Sequence, residues 1–210
     1  MTGERDELQR RLCERESHDM KTIKQHAVNV TLDPDSAHPY LILSADGKEV
    51  KLGDKRQNVP DTLKRFNQTI SVLGKEGFSS GKFYYEVQVK GKTKWDIGVA
   101  KESINRKGEI TLGPKYGYWA VWLRNSTYAA LASPSVLLSL KGKPQRVGVF
   151  VDYDAGLVSF YDADCWHHIY SFTHVFFTEK IYPYFSPCLN DGGRNSAPLI
   201  ISPVYICPIK

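Results

Sequence analysis

Apolar and polar positions change rhythm once along this chain, near residue 27. Before it, Glu4 to Gln25 is charge-rich with neither Gly nor Pro, and Leu8 with Leu12 at i, i+4 makes a thin apolar stripe that Met20 and Ile23 continue poorly. The spacing predicts a charged helix within residues 1–26. It is too polar to make a core alone and fits the tail of a longer coiled coil.

From Ala27 on the period is two. In VNVTLDP, Val28, Val30 and Leu32 alternate with Asn29, Thr31 and Asp33; in KFYYEVQVK, Phe83, Tyr85, Val87 and Val89 alternate with Lys82, Tyr84, Glu86 and Gln88. Both predict half-buried strands. KWDIGVA repeats the pattern with Trp95, Ile97 and Val99. In YGYWAVWLR, Trp119, Val121 and Leu123 make a core face, while Tyr118, Ala120, Trp122 and Arg124 point the other way and run into the polar tip Asn125-Ser126-Thr127. RVGVFVDYDAGLVSFYD, apolar on both faces over Val147 to Val151, predicts a central hairpin closed at Gly156. HIYSF, IYPYFSP and PLIIS add short strands between Pro, Gly and Asn clusters, and no helical window of ten residues follows residue 27. The pattern implies a single all-β core over residues 27–210, an antiparallel two-sheet sandwich, with the polar stretch Leu52 to Thr69 as a surface loop.

Composition sharpens this picture. A chain of 210 residues, 41% hydrophobic, is long enough for one sizeable core. The formal charge is +5, but Lys and Arg are scattered among acids, which argues against nucleic acid as a partner. No apolar run approaches the roughly 20 residues of a membrane span, and MTGERDELQRRL lacks a signal-peptide core. A cytoplasmic or nuclear chain with no membrane partner is expected. Cys13, Cys165, Cys188 and Cys207 are far apart and read as reduced, mostly buried thiols, so the sequons at Asn29, Asn67 and Asn125 read as chance matches.

Catalytic patterns fail on context. Gly77-Phe78-Ser79-Ser80-Gly81 spells a nucleophile elbow, but a strand follows it where a helix is needed. Gly91-Lys92-Thr93 lacks the earlier glycine and the helix of a phosphate loop, so it reads as a hairpin turn. Cys165, His167, His168 and His174 fit no tetrahedral template, and adjacent histidines on a strand face opposite ways. Asp152 and Asp154 read as turn residues. No catalytic group, metal or cofactor is expected; a binding surface remains.

In order, LDP at Leu32 to Pro34, YYEVQV at Tyr84 to Val89, KWDIGVA, RVGVFVDYDAGLVSFYD and SPCLNDGGRNSAPLIISP resemble the PRY-SPRY domain of tripartite-motif ubiquitin ligases and butyrophilins. The resemblance implies a bent, concanavalin-like two-sheet β-sandwich, with a PRY part over about 27–78 and a SPRY part over about 79–210, preceded by the end of a coiled coil or linker. It also implies a non-catalytic module that binds a protein through loops at one end. The wider role would be substrate binding for a tripartite-motif E3 ligase in innate immunity, with the RING domain outside this sequence and a homodimer possible through the helix. The pattern is most similar to the cytosolic antibody receptor of that family, whose contact positions fall on Asp96, Leu112, Trp122, Arg124, Leu189, Asn190 and Asp191. Arg124 and Leu189 stand where the receptor has tryptophan and phenylalanine. Aromatic anchors bury roughly 150 to 250 Å² each, so both changes argue against antibody Fc as the ligand. The alternative, a butyrophilin-like sensor of a small phosphorylated ligand, needs histidines where Phe83 and Asp96 stand. Trp122 is thus the expected anchor, with Arg124 offering a grip on a carboxylate, provided the Leu52–Thr69 loop does not fold over the ring.

Overall fold

The structure, a computed structural model, describes residues 2–206. In chain order it comprises α1 (Thr2–Lys24), β1 (Leu41–Leu43), β2 (Glu49–Leu52), β3 (Val72–Leu73), β4 (Lys82–Gln88), β5 (Trp95–Lys101), β6 (Tyr118–Arg124), β7 (Thr127–Ala130), β8 (Val136–Leu138), β9 (Arg146–Asp152), β10 (Leu157–Asp162), β11 (His167–Phe172), β12 (Ile181–Ser186) and β13 (Leu199–Ser202). One sheet has the order β1-β2-β13-β4-β9-β10-β11, the other β3-β12-β5-β6-β7-β8. All pairings between named strands are antiparallel.

The period-two pattern sends its apolar set between the sheets. Phe83, Tyr85 and Val87 with Val147, Val149 and Val151 meet Trp95, Ile97 and Val99 with Trp119, Val121 and Leu123 in one cluster. Burying such side chains stabilises by about 1.5 to 3 kcal/mol each, which makes this layer the main support of the fold. Strands apolar on both faces are covered on both. Tyr84, Phe150 and Trp166 form a second layer outside the first sheet, beneath Met20 and Ile23 of α1. Gly148 lets Tyr84 lie flat there, since a Cβ at 148 would sit 2.3 Å from the tyrosine hydroxyl. The expected hairpin is β9–β10, and Gly156 turns it at φ 65°. A side chain at 156 would also strike the Val175 carbonyl, at 2.1 Å.

Three expectations are corrected. Val28 to Leu32 is extended and alternates in burial, but it forms isolated bridges, Ala27 with Tyr84 and Leu32 with Gly74, rather than a strand. Its N–H groups bond separate elements, Val28 the Tyr84 carbonyl and Leu32 the Gly47 carbonyl, so no single ladder develops. The Leu52–Thr69 segment is not wholly a surface loop: Arg65 and Phe66 are buried. Arg65 donates to the carbonyls of Pro60, Pro34 and Ala37 at 2.7–2.8 Å, anchoring the segment from inside. The thiols are not mostly buried either: Cys13 and Cys165 are exposed and Cys188 is buried, while Cys207 lies outside the described residues. No helix among the described residues is long and apolar enough to cross a membrane.

Candidate functional site

The outer face of the second sheet is arranged in rows set by strand register. Ser186 pairs with Asp96, Asp96 with Trp122, Trp122 with Ala129 and Ala129 with Leu137, so these five residues cross the sheet side by side. Trp122 is half-buried and Leu137 is 76% exposed. Arg124 lies over the Trp122 ring, 4.9 Å from its centroid. Its guanidinium donates to Asp96 Oδ1 at 2.6 Å and to the carbonyls of Leu123 and Trp95 at 2.7 and 3.1 Å. Burial pushes the Asp96 carboxyl above its ordinary value, and Arg124 pulls it part of the way back. Asp96, Trp122 and Arg124 thus form one fixed unit in which the guanidinium already has its carboxylate.

The loop after β12 carries Leu189, Asn190 and Asp191, and its own Asn195 ties it to the turn between β4 and β5. The Asn195 side chain, fully buried, accepts from the N–H groups of Thr93 and Lys94 at 2.8 and 3.1 Å and donates to the carbonyls of Pro187 and Leu189 at 3.0 and 2.9 Å. Lys92, also buried, donates to the carbonyls of Asn195 and Ala197 at 3.1 and 2.8 Å. Asn190 donates to the Leu52 carbonyl, and Asp191 pairs with Lys94 at 2.9 Å. Leu189 is left 59% exposed.

At the opposite end of the same face, Tyr118, Ala100, Leu73 and Tyr184 are covered by Phe66 and Ile104, with Leu112 packed against them. The Leu52–Thr69 segment therefore does fold over this sheet, but through Phe66 above Tyr184 rather than above Trp122. Gly98 and Ala120, paired between the two ends, keep the floor low. Of the sequence-derived residues, the structure joins Asp96, Trp122 and Arg124 directly and sets Leu189, Asn190 and Asp191 on one pinned loop. Leu112 belongs to the covered end. Sequence reasoning missed Leu137, Lys92 and Asn195; a run of Val-Leu-Leu at 136–138 is the only local signal for the first.

The other motifs keep structural roles. Ser79 lies on an exposed turn before β4. Asp152 accepts from the Ala155 N–H and Asp154 from the Gly81 N–H, both at 3.0 Å. Cys165 Sγ lies 2.9 Å from His167 Nδ1, but partial loss of solvent contact and the nearby Asp162 carboxylate push the thiol up, away from the thiolate. His168 bonds Ser171 and His174 bonds Thr173. Among the described residues no group of three or more His, Cys, Asp or Glu is placed to hold a metal.

Comparison with known proteins agrees with this architecture. The chain is 55% identical over 169 residues to Nuclear factor 7, brain, of Xenopus laevis, covering 80% of this chain and 28% of that protein. It is 51% identical over 173 residues to the E3 ubiquitin-protein ligase TRIM69 of Rattus norvegicus, covering 82% and 34%. The chain thus spans about a third of these relatives or less. The crystal structure of the TRIM65 PSpry domain superposes with a TM-score of 0.73 at 21% identity, covering 87% of this chain and 93% of that one. The SPRY-associated domain model matches residues 30–78 and the SPRY domain model residues 82–199. Spanning both matches on one sandwich, the chain belongs to the PRY-SPRY family, whose domains are protein-binding modules and not themselves catalytic.

Proposed function

We propose that this chain docks a protein ligand on the open end of its outer face, with Trp122 as the anchor and Leu137 and Leu189 as exposed apolar flanks. The supporting observation is the row that runs from Asp96 through Trp122 to Leu137: a half-buried indole, stiffened by a stacked Arg124, beside an aliphatic residue left in water. Hot spots in protein interfaces have this character, an aromatic or arginine held rigid within an apolar patch. Arg124 and Leu189, in place of two aromatics, favour a ligand other than antibody Fc. A small phosphorylated ligand is disfavoured because Phe83 is core and Asp96 is a carboxylate.

In the wider protein the domain serves as the substrate-binding part of a tripartite-motif E3 ligase in innate immunity, within the cytoplasm. Similarity to TRIM69, an E3 ubiquitin-protein ligase, supports the ligase part of this reading, and the exposed Leu8 and Leu12 of α1 favour pairing of two copies through the helix. Quantitative affinity purification from cell lysate tests the docking face, using wild type, Trp122→Ala and Leu63→Ala, the last an exposed residue on the covering segment. A set of proteins kept by wild type and Leu63→Ala and lost from Trp122→Ala is expected. Retention of every captured protein by Trp122→Ala rules out the anchor.

A further inference from the structure

On the inward side of β6, at the end of the sandwich, lies a groove of about 550 Å³ lined by Tyr128 and by the edge of the buried Leu123 with which it pairs. Lys94 and Arg194 reach it from the β4–β5 turn and the loop after β12, and Lys143 from the segment joining β8 to β9. The hairpin tip, Asn125 and Ser126, with φ of 49° and 61°, also lines it. The one acid in the lining, Asp191, is paired with Lys94. Lys143 and Arg194 form no ion pair among the described residues and are exposed. The groove therefore joins an apolar floor to two unneutralised cations carried by different elements.

We propose that this groove takes an acidic, extended segment of the protein ligand, with carboxylates meeting Lys143 and Arg194 and an apolar side chain resting on the Tyr128 ring. The proposal rests on the protein-binding reading of this end of the sandwich and names the chemistry of the bound segment. Charge complementarity selects acid: a basic segment would face Lys94, Lys143 and Arg194 with only one carboxylate, already engaged. Size and floor select a peptide. A phosphate needs several donors converging on one point, whereas here the cations come from separate elements around an apolar floor. A nucleic-acid strand would need a longer basic track than two free cations and would meet Asp191.

The test selects random heptapeptides displayed on phage against the whole chain, then measures the consensus peptide by fluorescence polarisation. Enrichment of Asp and Glu around an aliphatic or aromatic residue is expected. The consensus peptide should lose about tenfold or more in affinity on Lys143→Glu with Arg194→Glu, and its affinity should fall as salt shortens the Debye length below about 10 Å. Circular dichroism melts confirm that this double variant folds. An enriched set without acidic bias, no enrichment, or unchanged affinity in the double variant overturns the proposal. So does stronger competition by inorganic pyrophosphate or a short DNA strand than by unlabelled peptide. Trp122→Ala measured in parallel separates the two readings: loss there without loss in the double variant removes the groove and keeps the anchor, and loss in neither removes both.

Discussion

Two tryptophans three positions apart on β6 have opposite fates, and the reason is the pleat. Trp119 points between the sheets, where it stacks edge-on with Phe177 at 5.1 Å between centroids, while Trp122 points outward beneath Arg124. Trp119→Ala should therefore cost roughly 3 to 5 kcal/mol of stability in urea unfolding, because the core cannot refill so large a void. Trp122→Ala should leave the unfolding midpoint nearly unchanged and weaken ligand binding by about 2 kcal/mol, roughly thirtyfold in Kd by calorimetry. Interchanged results would mean that the outward indole is the structural one. The opposed directions of these rings were legible in the sequence, since alternation fixes relative facing once any member is core. The cover over Tyr118 was not. It comes from Phe66, a single aromatic in a polar segment without periodicity, and nothing local to it says which sheet it will meet.

At the scale of elements, the loop after β12 is tied through Asn195 to the turn carrying Lys92, Thr93 and Lys94, over a hundred residues away in sequence. Asn195→Ala would remove the partner of the Thr93 and Lys94 N–H groups and of the Pro187 and Leu189 carbonyls, of which the Pro187 carbonyl lies in a buried bond, and a buried group left unpaired costs about 1 to 3 kcal/mol. A loss of stability together with weaker ligand binding is expected, unlike the binding-only effect of Trp122→Ala. Lys92 adds a pH signature: burial pulls its ammonium down to about 8 from the ordinary 10.5. Below pH 8 the lysine is protonated folded and unfolded, and the cost of burying its charge is present in full. Between pH 8 and 10.5 the folded protein releases the proton first, so stability should rise with pH. Urea unfolding of wild type against Lys92→Met over pH 7 to 10 should show that rise in wild type alone, and a flat difference would place the charge in a less costly setting. Gly91-Lys92-Thr93 is legible as a turn, but its clamp is not, because its partners lie over a hundred residues away.

For the whole molecule, the fold class was legible because most strands carry the same alternation, and it closes only as two facing sheets. How α1 joins the sandwich was hidden, since Met20 and Ile23 look like a faded stripe until Tyr84, Phe150 and Trp166 lie under them. The helix is thus two pieces in energetic terms. Its last turns contribute apolar contact, the Lys24 ammonium 5.8 Å from the Trp166 ring centroid, and a 3.8 Å contact with the buried Glu86, which Arg146 and Tyr84 also hold. Its first turns leave Leu8 and Leu12 in water beside surface ion pairs such as Arg10 with Glu7 and Glu14, which contribute little to the sandwich. Removing residues 2–16 should leave the melting temperature unchanged, and if copies pair through Leu8 and Leu12 it should convert a dimer to a monomer by analytical ultracentrifugation. Removing residues 2–26 should cost about 2 kcal/mol or more, the burial lost from Met20 and Ile23, and should open Trp166 to iodide quenching. Equal stability of the two truncations would mean that the helix end lies on the sheet without holding it.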